Sequence, residues 1–394
     1  MIRKLPLIDS AANLRDILAA FRSANDKHAG IEFKNILSVI SGMRNICTAG
    51  SGIAAFYLIL KALHQISPRK EVVLPAYTAG SLVVAVRKAG LKPVLCDISL
   101  TDFNMDAEAL QKSISPGTLA VVAVHMFGIG MKGVEGLRAG LSKDIYLIED
   151  CCQAMGSIVS ERPVGSWGDA SLFSFNRGKN LPLCGGGFAS TEDLFIAKAI
   201  EDEMGAVEDT SVLRELLMPI EVLAVSIATN PFIYGLGHGV ISRFKEDEPP
   251  EDFPVRKMSD FHIALGMRLL KRMEELSLKR YYNGMHLING LKNLAGVVLP
   301  TIVSGSRPVF NRLPVVFKNP EMRTRAEDKL AENGIEASRM YLRPLHHMFD
   351  LGYERSAFPN ANYVAENLLT LPVHSGVRKK DLGRMVSAIT EASI

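Results

Sequence analysis

The 394-residue sequence has no large excess of charge of either sign. It contains 45 Lys and Arg residues against 42 Asp and Glu residues, which gives a formal net charge of +3. A charge this small and this evenly spread does not hold a polyanion by electrostatics alone. We therefore expect no nucleic acid partner, and the balance favours an enzyme that acts on small molecules.

The sequence also lacks the cysteine pattern of a disulfide-bonded protein and any long uninterrupted apolar run. Its five cysteines have no repeated spacing, and Cys151 is adjacent to Cys152, so reduced thiols in a cytoplasm are expected. Charged residues within the first 20 positions argue against a signal peptide. The longest apolar region, 216–241, is broken by two prolines and a glutamate before the about 20 residues that a membrane-spanning helix needs. The sequence predicts a cytoplasmic protein without a membrane span.

Short β-rich apolar runs do alternate with helical patterns from residue 70 onward. Hydrophobic residues make up 47% of the chain and charged residues 22%, which is the balance of a folded globular protein. The alternation is typical of βα units around a mostly parallel sheet that is buried on both faces, so the predicted fold class is α/β. The predicted strands are 71–75, 92–98, 119–125, 145–150, 170–175 and 187–190. The predicted helices are 53–63, 79–89, 106–113, 133–141 and 192–203.

The second half of the chain predicts a smaller C-terminal α+β domain. Residues 258–291 contain no proline and repeat apolar residues at steps of three and four, which predicts one long amphipathic helix. We therefore divide the chain into a large α/β domain, 1–257, and a second part, 258–394, made of the linking helix and the small domain. The large domain includes an apolar helical insertion at about 205–250. At the end of this insertion, residues 245–252 predict a solvated loop or linker.

Two candidate reactive groups fall at the ends of predicted strands, where open α/β sheets bind their ligands. Asp150 ends the apolar run 145–148, where it either caps the next helix or directs a negative charge into a pocket. Lys179 follows strand 170–175 and precedes an apolar segment with three consecutive glycines. Such a setting desolvates an amine, as covalent lysine chemistry requires, whereas most lysines are solvated surface charges.

A turn of small residues opens the predicted helix 53–63. The sequence Ala-Gly-Ser-Gly occupies 49–52 directly before it. Free backbone N–H groups and the helix dipole at such a terminus favour an anion, particularly a phosphate. Glycine-rich helix starts are common, so this turn indicates a phosphate site only in combination with Asp150 and Lys179.

A competing motif predicts dinucleotide binding. Residues 128–133 read Gly-Ile-Gly-Met-Lys-Gly after a predicted strand and before a predicted helix, with Glu149 and Asp150 at the spacing of a ribose-binding acid. The helix that this motif would open is short and contains Gly136 and Gly140, which weaken it. An NAD-dependent oxidoreductase that uses Gly128–Gly133 is therefore one alternative function.

The order of the first three motifs resembles the DegT/DnrJ/EryC1/StrS family of sugar aminotransferases. The glycine-rich helix start is followed by Glu-Asp-Cys-Cys-Gln-Ala-Met-Gly at 149–156 and by Ser-Phe-x-x-x-Lys at 174–179. Further similar segments are 74–78, 92–97, 124–128, 258–266, 334–335, 341–346 and 371–374. The resemblance implies a fold type I enzyme that binds pyridoxal 5'-phosphate (PLP), acts on keto-sugars that are mostly nucleotide-linked, and forms a homodimer with a shared active site.

The resemblance also implies a role for each residue of the candidate site. Lys179 would bind PLP covalently and then move protons as base and acid, and Asp150 would face the pyridine nitrogen of PLP. Gln153 would lie near the phenolic oxygen. The remaining implied cofactor contacts are Ser174, Ser51, Gly52 and Ile53 at the phosphate and Tyr77 at the ring. Tyr341 and His346 would line the sugar pocket.

Four places in the chain depart from the family pattern. One is Gly185, which stands where the family has a glutamate before the last two glycines. Ile53 stands where the family often has threonine, so a phosphate-binding hydroxyl is missing. Ala79 stands where an aromatic residue often stacks on PLP, and Tyr77 is the expected substitute. The segment Val255-Arg256-Lys257 replaces an Asn-x-Arg segment that reaches the phosphate of the neighbouring subunit.

The sequence thus predicts an aminotransferase that transfers an amino group from an amino acid, with L-glutamate as the expected donor, to a nucleotide-linked keto-sugar. The product would belong to surface polysaccharide or secondary-metabolite biosynthesis. Lys179 argues against the family branch that dehydrates sugars and carries histidine there, although a PLP-dependent lyase stays an alternative. The departures also leave open a non-catalytic regulatory or membrane-docked relative.

Two further expectations concern partners. The apolar segment 213–244 either extends the dimer interface as a helical pair or forms a platform for a membrane surface. No metal is predicted, because no pair of histidines has the spacing of a metal site.

Overall fold

The protein is an α/β structure in which a mostly parallel sheet lies between layers of helices. The computed structural model describes residues 3–24, 26, 28–241 and 249–393. The strands are β1 (Asn45–Ala49), β2 (Glu71–Pro75), β3 (Lys92–Cys96), β4 (Thr118–Val124), β5 (Tyr146–Asp150), β6 (Ile158–Val159), β7 (Arg162–Pro163), β8 (Ala170–Ser174), β9 (Gly187–Thr191), β10 (Val297–Val298), β11 (Leu313–Phe317) and β12 (Leu368–Leu371).

Helices connect these strands and cover the sheet. They are α1 (Leu14–Ser23), α2 (Ala29–Ser41), α3 (Gly52–Ile66), α4 (Gly80–Lys88), α5 (Ala107–Ser113), α6 (Val134–Gly140), α7 (Leu194–Gly205), α8 (Val212–Ala228), α9 (Pro231–Ile241), α10 (Asp260–Leu270), α11 (Met273–Leu291), α12 (Pro320–Glu332), α13 (Leu345–Met348), α14 (Pro359–Asn367) and α15 (Lys379–Ala392).

Within the described residues, the main sheet has seven strands in the order β1-β9-β8-β5-β4-β2-β3. Strands β8, β5, β4, β2 and β3 are parallel, whereas β9 is antiparallel to both of its neighbours. Successive residues of the parallel strands face opposite apolar layers: Val73 and Val121 point into one layer, and Val72 and Val122 into the other. Burial on both faces explains why these strands appear as continuous apolar runs in the sequence.

A smaller antiparallel sheet, β10-β11-β12, forms the C-terminal α+β part together with α12 and α15. The N-terminal segment belongs to this part as well, because Leu5 pairs with Ile335 and Arg3 forms an ion pair with the buried carboxylate of Asp381 at 2.9 Å. The predicted α/β fold class with a smaller α+β part is confirmed. The division at residue 257 stays a prediction.

The expectation of one continuous helix over 258–291 is wrong. The helix is interrupted between α10 and α11, where Arg272 leaves the helical conformation with a φ of −113° and a ψ of 3°. Its guanidinium donates hydrogen bonds to the Ala11 carbonyl at 3.2 Å and to the Asp16 carboxylate at 2.7 Å. The break therefore lets Arg272 reach the buried acid of α1, a tertiary contact that helical periodicity does not reveal.

Helices α8 and α9 correspond to the described part of the predicted apolar segment 213–244. No single described helix is long and apolar enough to cross a bilayer. The segments Val212–Ala228 and Pro231–Gly237 are long and apolar enough only when they are taken together, and the angle between them is 84°. The first half of the predicted loop 245–252, residues 245–248, lies outside the described residues.

Two helical glycines make a matched test of packing on α11 and α15. A Cβ atom at Gly284 would lie 2.4 Å from the ring of the buried Phe310, whereas one at Gly383 would meet no heavy atom within 4 Å. We expect Gly284→Ala to destabilise the protein by about 1–3 kcal/mol through overpacking. Gly383→Ala should stabilise it by up to about 1 kcal/mol through helix propensity. Shifts of the urea unfolding midpoint in opposite directions would confirm this, and equal shifts would contradict it.

Candidate active site

The candidate site begins with a carboxylate at the carboxyl end of β5. Asp150 is the last residue of the strand, and its side chain is 6% exposed. Its Oδ1 accepts a hydrogen bond from the backbone N–H of Cys152 at 2.9 Å. Burial, followed by the Asp150 charge, raises the pKa of the Cys152 thiol well above its usual range. Cys152 is therefore a neutral thiol that lies directly beside the carboxylate.

An anion cradle lies next to this carboxylate, at the N-terminus of α3. The Ser51 hydroxyl caps the helix by accepting a hydrogen bond from the Ala54 N–H at 3.2 Å. A Cβ atom at Gly52 would lie 2.6 Å from the Cβ of Ser174 and 3.2 Å from the Sγ of Cys152. Only glycine allows this approach. The first-turn N–H groups of α3, its dipole and the Ser174 hydroxyl thus meet at one point, as phosphate binding requires.

The amine of the site comes from the loop after β8. Lys179 is half-buried, and its charge lowers the pKa of Cys152 against the larger effects of burial and Asp150, so it lies near the same thiol. The next residue anchors the loop, because the Asn180 amide donates a hydrogen bond to the Gln153 carbonyl at 3.1 Å. Asn311 donates to the Gly178 carbonyl at 2.7 Å and fixes the other side of Lys179. The amine is thus carried on an anchored loop.

Gln153 and Tyr341 close the site from the side of the C-terminal part. The Gln153 amide oxygen accepts a hydrogen bond from the Phe127 N–H at 3.0 Å, which orients its Nε2 toward the Tyr341 hydroxyl at 3.3 Å. Burial, followed by the negative charge of Asp150, raises the pKa of Tyr341. Tyr341 also lines a cavity of about 210 Å³ together with Ala79. The Tyr341 hydroxyl is therefore neutral, and it can donate or accept a hydrogen bond near Asp150.

A larger cavity of about 590 Å³ opens on the outer side of the anion cradle. Ser51 and Ile53 form part of its wall, and three arginines, Arg177, Arg214 and Arg256, line it as well. None of these arginines forms an ion pair with a residue in the part of the chain that the structure describes. The space beside the cradle is therefore strongly cationic.

Comparison with known proteins identifies this constellation. The sequence profile of the DegT/DnrJ/EryC1/StrS aminotransferase family matches residues 11–214 and 245–390. The chain belongs to this family. The predictions of family, fold type and aminotransferase class are thereby confirmed.

Individual members of the family are similar over nearly the whole aminotransferase. A UDP-N-acetyl-3-dehydro-alpha-D-glucosamine 3-aminotransferase of Acidithiobacillus ferrooxidans is 25% identical and covers 89% of this chain, with 85% of its own length aligned. A GDP-perosamine synthase of Caulobacter vibrioides is 25% identical over 92% of this chain and 90% of its own length. Among solved structures, DesV of S. venezuelae has a TM-score of 0.79 at 22% identity, with 99% of both chains covered.

The expected site residues Ser51, Gly52, Asp150, Gln153, Ser174 and Lys179 come together in this aminotransferase. Tyr77 does not lie where a stacking ring would, because it is fully buried and its hydroxyl bonds to the Arg339 and Tyr341 carbonyls at 3.1 and 3.2 Å. Its ring contacts that of Tyr341 edge-on at 5.5 Å. Tyr77 therefore positions Tyr341. This corrects the sequence interpretation, in which Tyr77 replaced the aromatic residue that stacks on PLP.

His346 also lies away from the group just described. Its ring packs against Phe358 at 4.9 Å, and its Nε2 bonds to the Arg355 carbonyl at 3.0 Å. The histidine is buried and shares no cavity with Tyr341 among the described cavities. The structure therefore does not bring the predicted sugar-pocket pair together, although Tyr341 lies only five residues before His346, which is in α13.

The GxGxxG motif is a packed turn and does not form an open dinucleotide site. A Cβ atom at Gly130 would lie 1.9 Å from a methyl group of Val159, and the Gly128 carbonyl is bonded to the Ser157 hydroxyl at 2.9 Å. The carboxylate of Glu149 is fully used, since it binds His125 and the N–H groups of Gly165, Trp167 and Gly168. The turn and Glu149 are therefore not free to bind a nucleotide, which argues against the NAD-dependent alternative.

Glu149 also belongs to a buried cluster of three potential metal ligands, His125, Glu149 and Cys151. His125 accepts a hydrogen bond at Nδ1 from the Met131 N–H at 3.0 Å, so its Nε2 carries the proton and donates to Glu149 at 2.9 Å. Burial, followed by the Glu149 charge, raises the pKa of the Cys151 thiol. The cluster is thus a hydrogen-bonded support of the loop 163–168.

Sequence reasoning did not assign two residues that the structure places in the site. Cys152 lies beside Gly52 and Asp150, and the charge of Lys179 acts on its thiol. Asn180 ties the lysine loop to the turn after β5. Both are adjacent to residues that were assigned, and this adjacency is the only signal that could have indicated them.

Proposed function

We propose that the protein transfers an amino group from L-glutamate to a nucleotide-linked keto-sugar with PLP as cofactor. The observation that carries this proposal is the convergence of a strand-end carboxylate, an anion cradle and a lysine around the single thiol of Cys152. The names of relatives support the sugar class, because one aminates a UDP-linked 3-keto-sugar and another is a GDP-perosamine synthase. The product would enter amino-sugar biosynthesis.

The residues present fit PLP. Its phosphate requires N–H donors and a hydroxyl, which the α3 N-terminus and Ser174 supply at a place that only glycine leaves open. Its pyridine nitrogen requires a carboxylate, and its carbonyl carbon requires an amine. Asp150 and Lys179 supply these two groups, and the charges of both act on the thiol of Cys152. When bound, PLP would supply an electron-accepting ring that stabilises negative charge on the substrate carbon.

Each side chain would have a distinct task in this reaction. The Asp150 carboxylate would hold a proton on the ring nitrogen, because a buried negative charge favours the protonated partner. The Nζ of Lys179 would anchor the cofactor and then take and return the proton of the substrate carbon. The Gln153 amide, oriented by the Phe127 N–H, would donate a hydrogen bond to the phenolic oxygen of PLP. Tyr341 would wall the substrate side, with its backbone held by Tyr77.

We also propose that the active protein is a homodimer with a site shared between subunits. The support is that the cavity beside Ser51 and Ile53 is open and lined by three arginines without an ion-pair partner among the described residues. The described part of the chain thus leaves one side of the cradle open. The segment 255–257, whose Arg256 lines this cavity, lies beside the cradle because the Gly50 N–H donates to the Arg256 carbonyl at 2.7 Å. A cytoplasmic location is part of the same proposal.

Two separate half-reactions test the proposed function. The PLP-loaded protein is first incubated with L-glutamate alone, and formation of 2-oxoglutarate together with loss of the visible cofactor band is the expected result. A set of nucleotide-linked keto-sugars is then added, and the aminated sugar should appear in amounts equal to the 2-oxoglutarate. A dehydrated sugar without nitrogen would show a lyase instead, and hydride transfer from a nicotinamide would overturn the proposal entirely.

A further inference from the structure

Helix α8 has two apolar faces, of which only one is covered by protein. Met218 and Val222 are buried, and the Ser226 hydroxyl bonds to the Ala12 carbonyl at 2.9 Å, so this face packs toward α1 and α10. The opposite stripe is 47–77% exposed. It consists of Val212, Leu213, Leu216, Leu217, Ile220 and Ile227, whose steps of one, three and seven residues place them on one side of the helix.

Helix α9 continues this exposed surface. Phe232, Ile233 and Leu236 are 43–78% exposed and again share one side of the helix, whereas the intervening Tyr234 is buried. Together these residues and the stripe of α8 form what we call the exposed apolar face. An apolar surface of this size on a folded protein indicates a partner that covers it.

The exposed apolar face is not part of the common family framework. The family profile matches residues 11–214 and 245–390, and the unmatched stretch 215–244 contains nearly all of α8 and α9. An assembly that is common to the family therefore does not depend on this face. Its occupant must be argued from this chain's own surroundings.

The charge of the occupant can be inferred from helix α1, which contacts α8. Leu14, Leu18 and Phe21 are about half exposed, and the exposed Arg15 and Arg22 flank them. Neither arginine forms an ion pair with a residue in the described ranges, and the one acid of the helix, Asp16, is buried and bound to Arg272. Leucine and phenylalanine beside unpaired arginines are typical of helices that lie in the interface of an anionic membrane.

We propose that the exposed apolar face of α8 and α9, together with the outer face of α1, docks on the surface of a bilayer that contains anionic phospholipid. The apolar side chains enter the headgroup and acyl boundary, and Arg15 and Arg22 bind the lipid phosphates. A second copy of the chain fits less well, because it would bring the same unpaired arginines into the interface.

Flotation of the full-length protein with vesicles tests this inference. One set of vesicles contains phosphatidylglycerol and phosphatidylethanolamine, and the other contains phosphatidylcholine alone. We expect the protein to float with the anionic vesicles and to be released at high salt, because arginine–phosphate attraction is screened. The variant Leu213→Gln/Leu216→Gln/Ile220→Gln/Leu236→Gln should bind at least ten-fold more weakly.

Two further variants separate membrane docking from other causes. Arg15→Gln/Arg22→Gln should bind several-fold more weakly and lose most of the salt dependence. Ile31→Gln/Val39→Gln removes exposed apolar residues from α2, away from this surface, and should bind as the unchanged protein does. All three variants should keep the amino-transfer rate with free substrates, so that failure of the proposed reaction is not confused with failure of docking.

The opposite outcomes are equally clear. Absence of flotation, or equal flotation of the four-residue variant and the unchanged protein, overturns the inference. A fall in the solution mass of that variant without any vesicle binding would assign the face to contact between copies of the chain, and it overturns the inference as well.

Discussion

Replacement of Lys179 by alanine is expected to lower the rate of amino transfer by a factor on the order of 10³ or more. The reason is positional, because the loop that carries this amine is anchored by Asn180 and Asn311 beside the thiol that also contacts Asp150. No other atom of that loop can both bond to a cofactor carbon and move a proton. The measurement is kcat/KM for glutamate and the keto-sugar, with the visible spectrum recorded for each preparation.

A second readout separates chemistry from folding. Lys179 is half-buried, so its truncation should change the urea unfolding midpoint little, whereas covalent retention of PLP through gel filtration should be lost. The matched control is Lys198→Ala, which removes an exposed lysine paired with Asp202 at 2.7 Å. It should leave both the rate and the retained cofactor unchanged. Persistence of full activity and of the visible band in Lys179→Ala would falsify the assignment.

The strands of the main sheet were predictable because burial on both faces leaves a strong signal. All six predicted strands are present within two residues of their expected ends, and β2 matches at both ends. Strand β1 was missed, since only Ala49 of its five residues is fully buried and the strand pairs with β9 at the edge of the sheet. An edge strand with polar residues has neither the continuous apolar run nor the alternation that identifies a strand.

The site divides in the same way between local and tertiary signals. Asp150 and Lys179 could be predicted because they lie at or just after the carboxyl ends of β5 and β8, whereas Ser174, the last residue of β8, was indicated only by the family resemblance. Tyr77 could not be placed, because its role depends on the carbonyl of Arg339, which lies 262 residues away in the sequence. His346 could not be placed either, because the bond to the Arg355 carbonyl depends on how the chain folds back over a separation of nine residues. A sequence motif shows which side chain is present, whereas packing against other parts of the chain determines where that side chain points.

Replacement of Asp150 by asparagine is the second large effect that we expect. Asparagine keeps the volume and can still accept the Cys152 N–H, but it removes the negative charge beside the anion cradle. Without that charge the ring nitrogen of a bound cofactor loses its proton-holding partner, so the rate should fall by a factor on the order of 10² to 10⁴. The half-reaction with glutamate alone measures this loss directly. Asp144→Asn, at an exposed acid paired with Arg69, is the matched control and should retain the rate.

The same substitution has a consequence that does not depend on activity. The Asp150 charge contributes to the raised pKa of Cys152, and the charge of Lys179 acts in the opposite direction. Asp150→Asn removes the first effect and keeps the second, so the pKa of this thiol should fall and its alkylation at a fixed alkaline pH should become faster. The thiol reactivity of the cofactor-free protein, followed against pH for that one cysteine by mass spectrometry, measures the shift. An unchanged profile would mean that Asp150 and Cys152 do not share an electrostatic environment, and the proposed arrangement of carboxylate, thiol and amine would then be wrong.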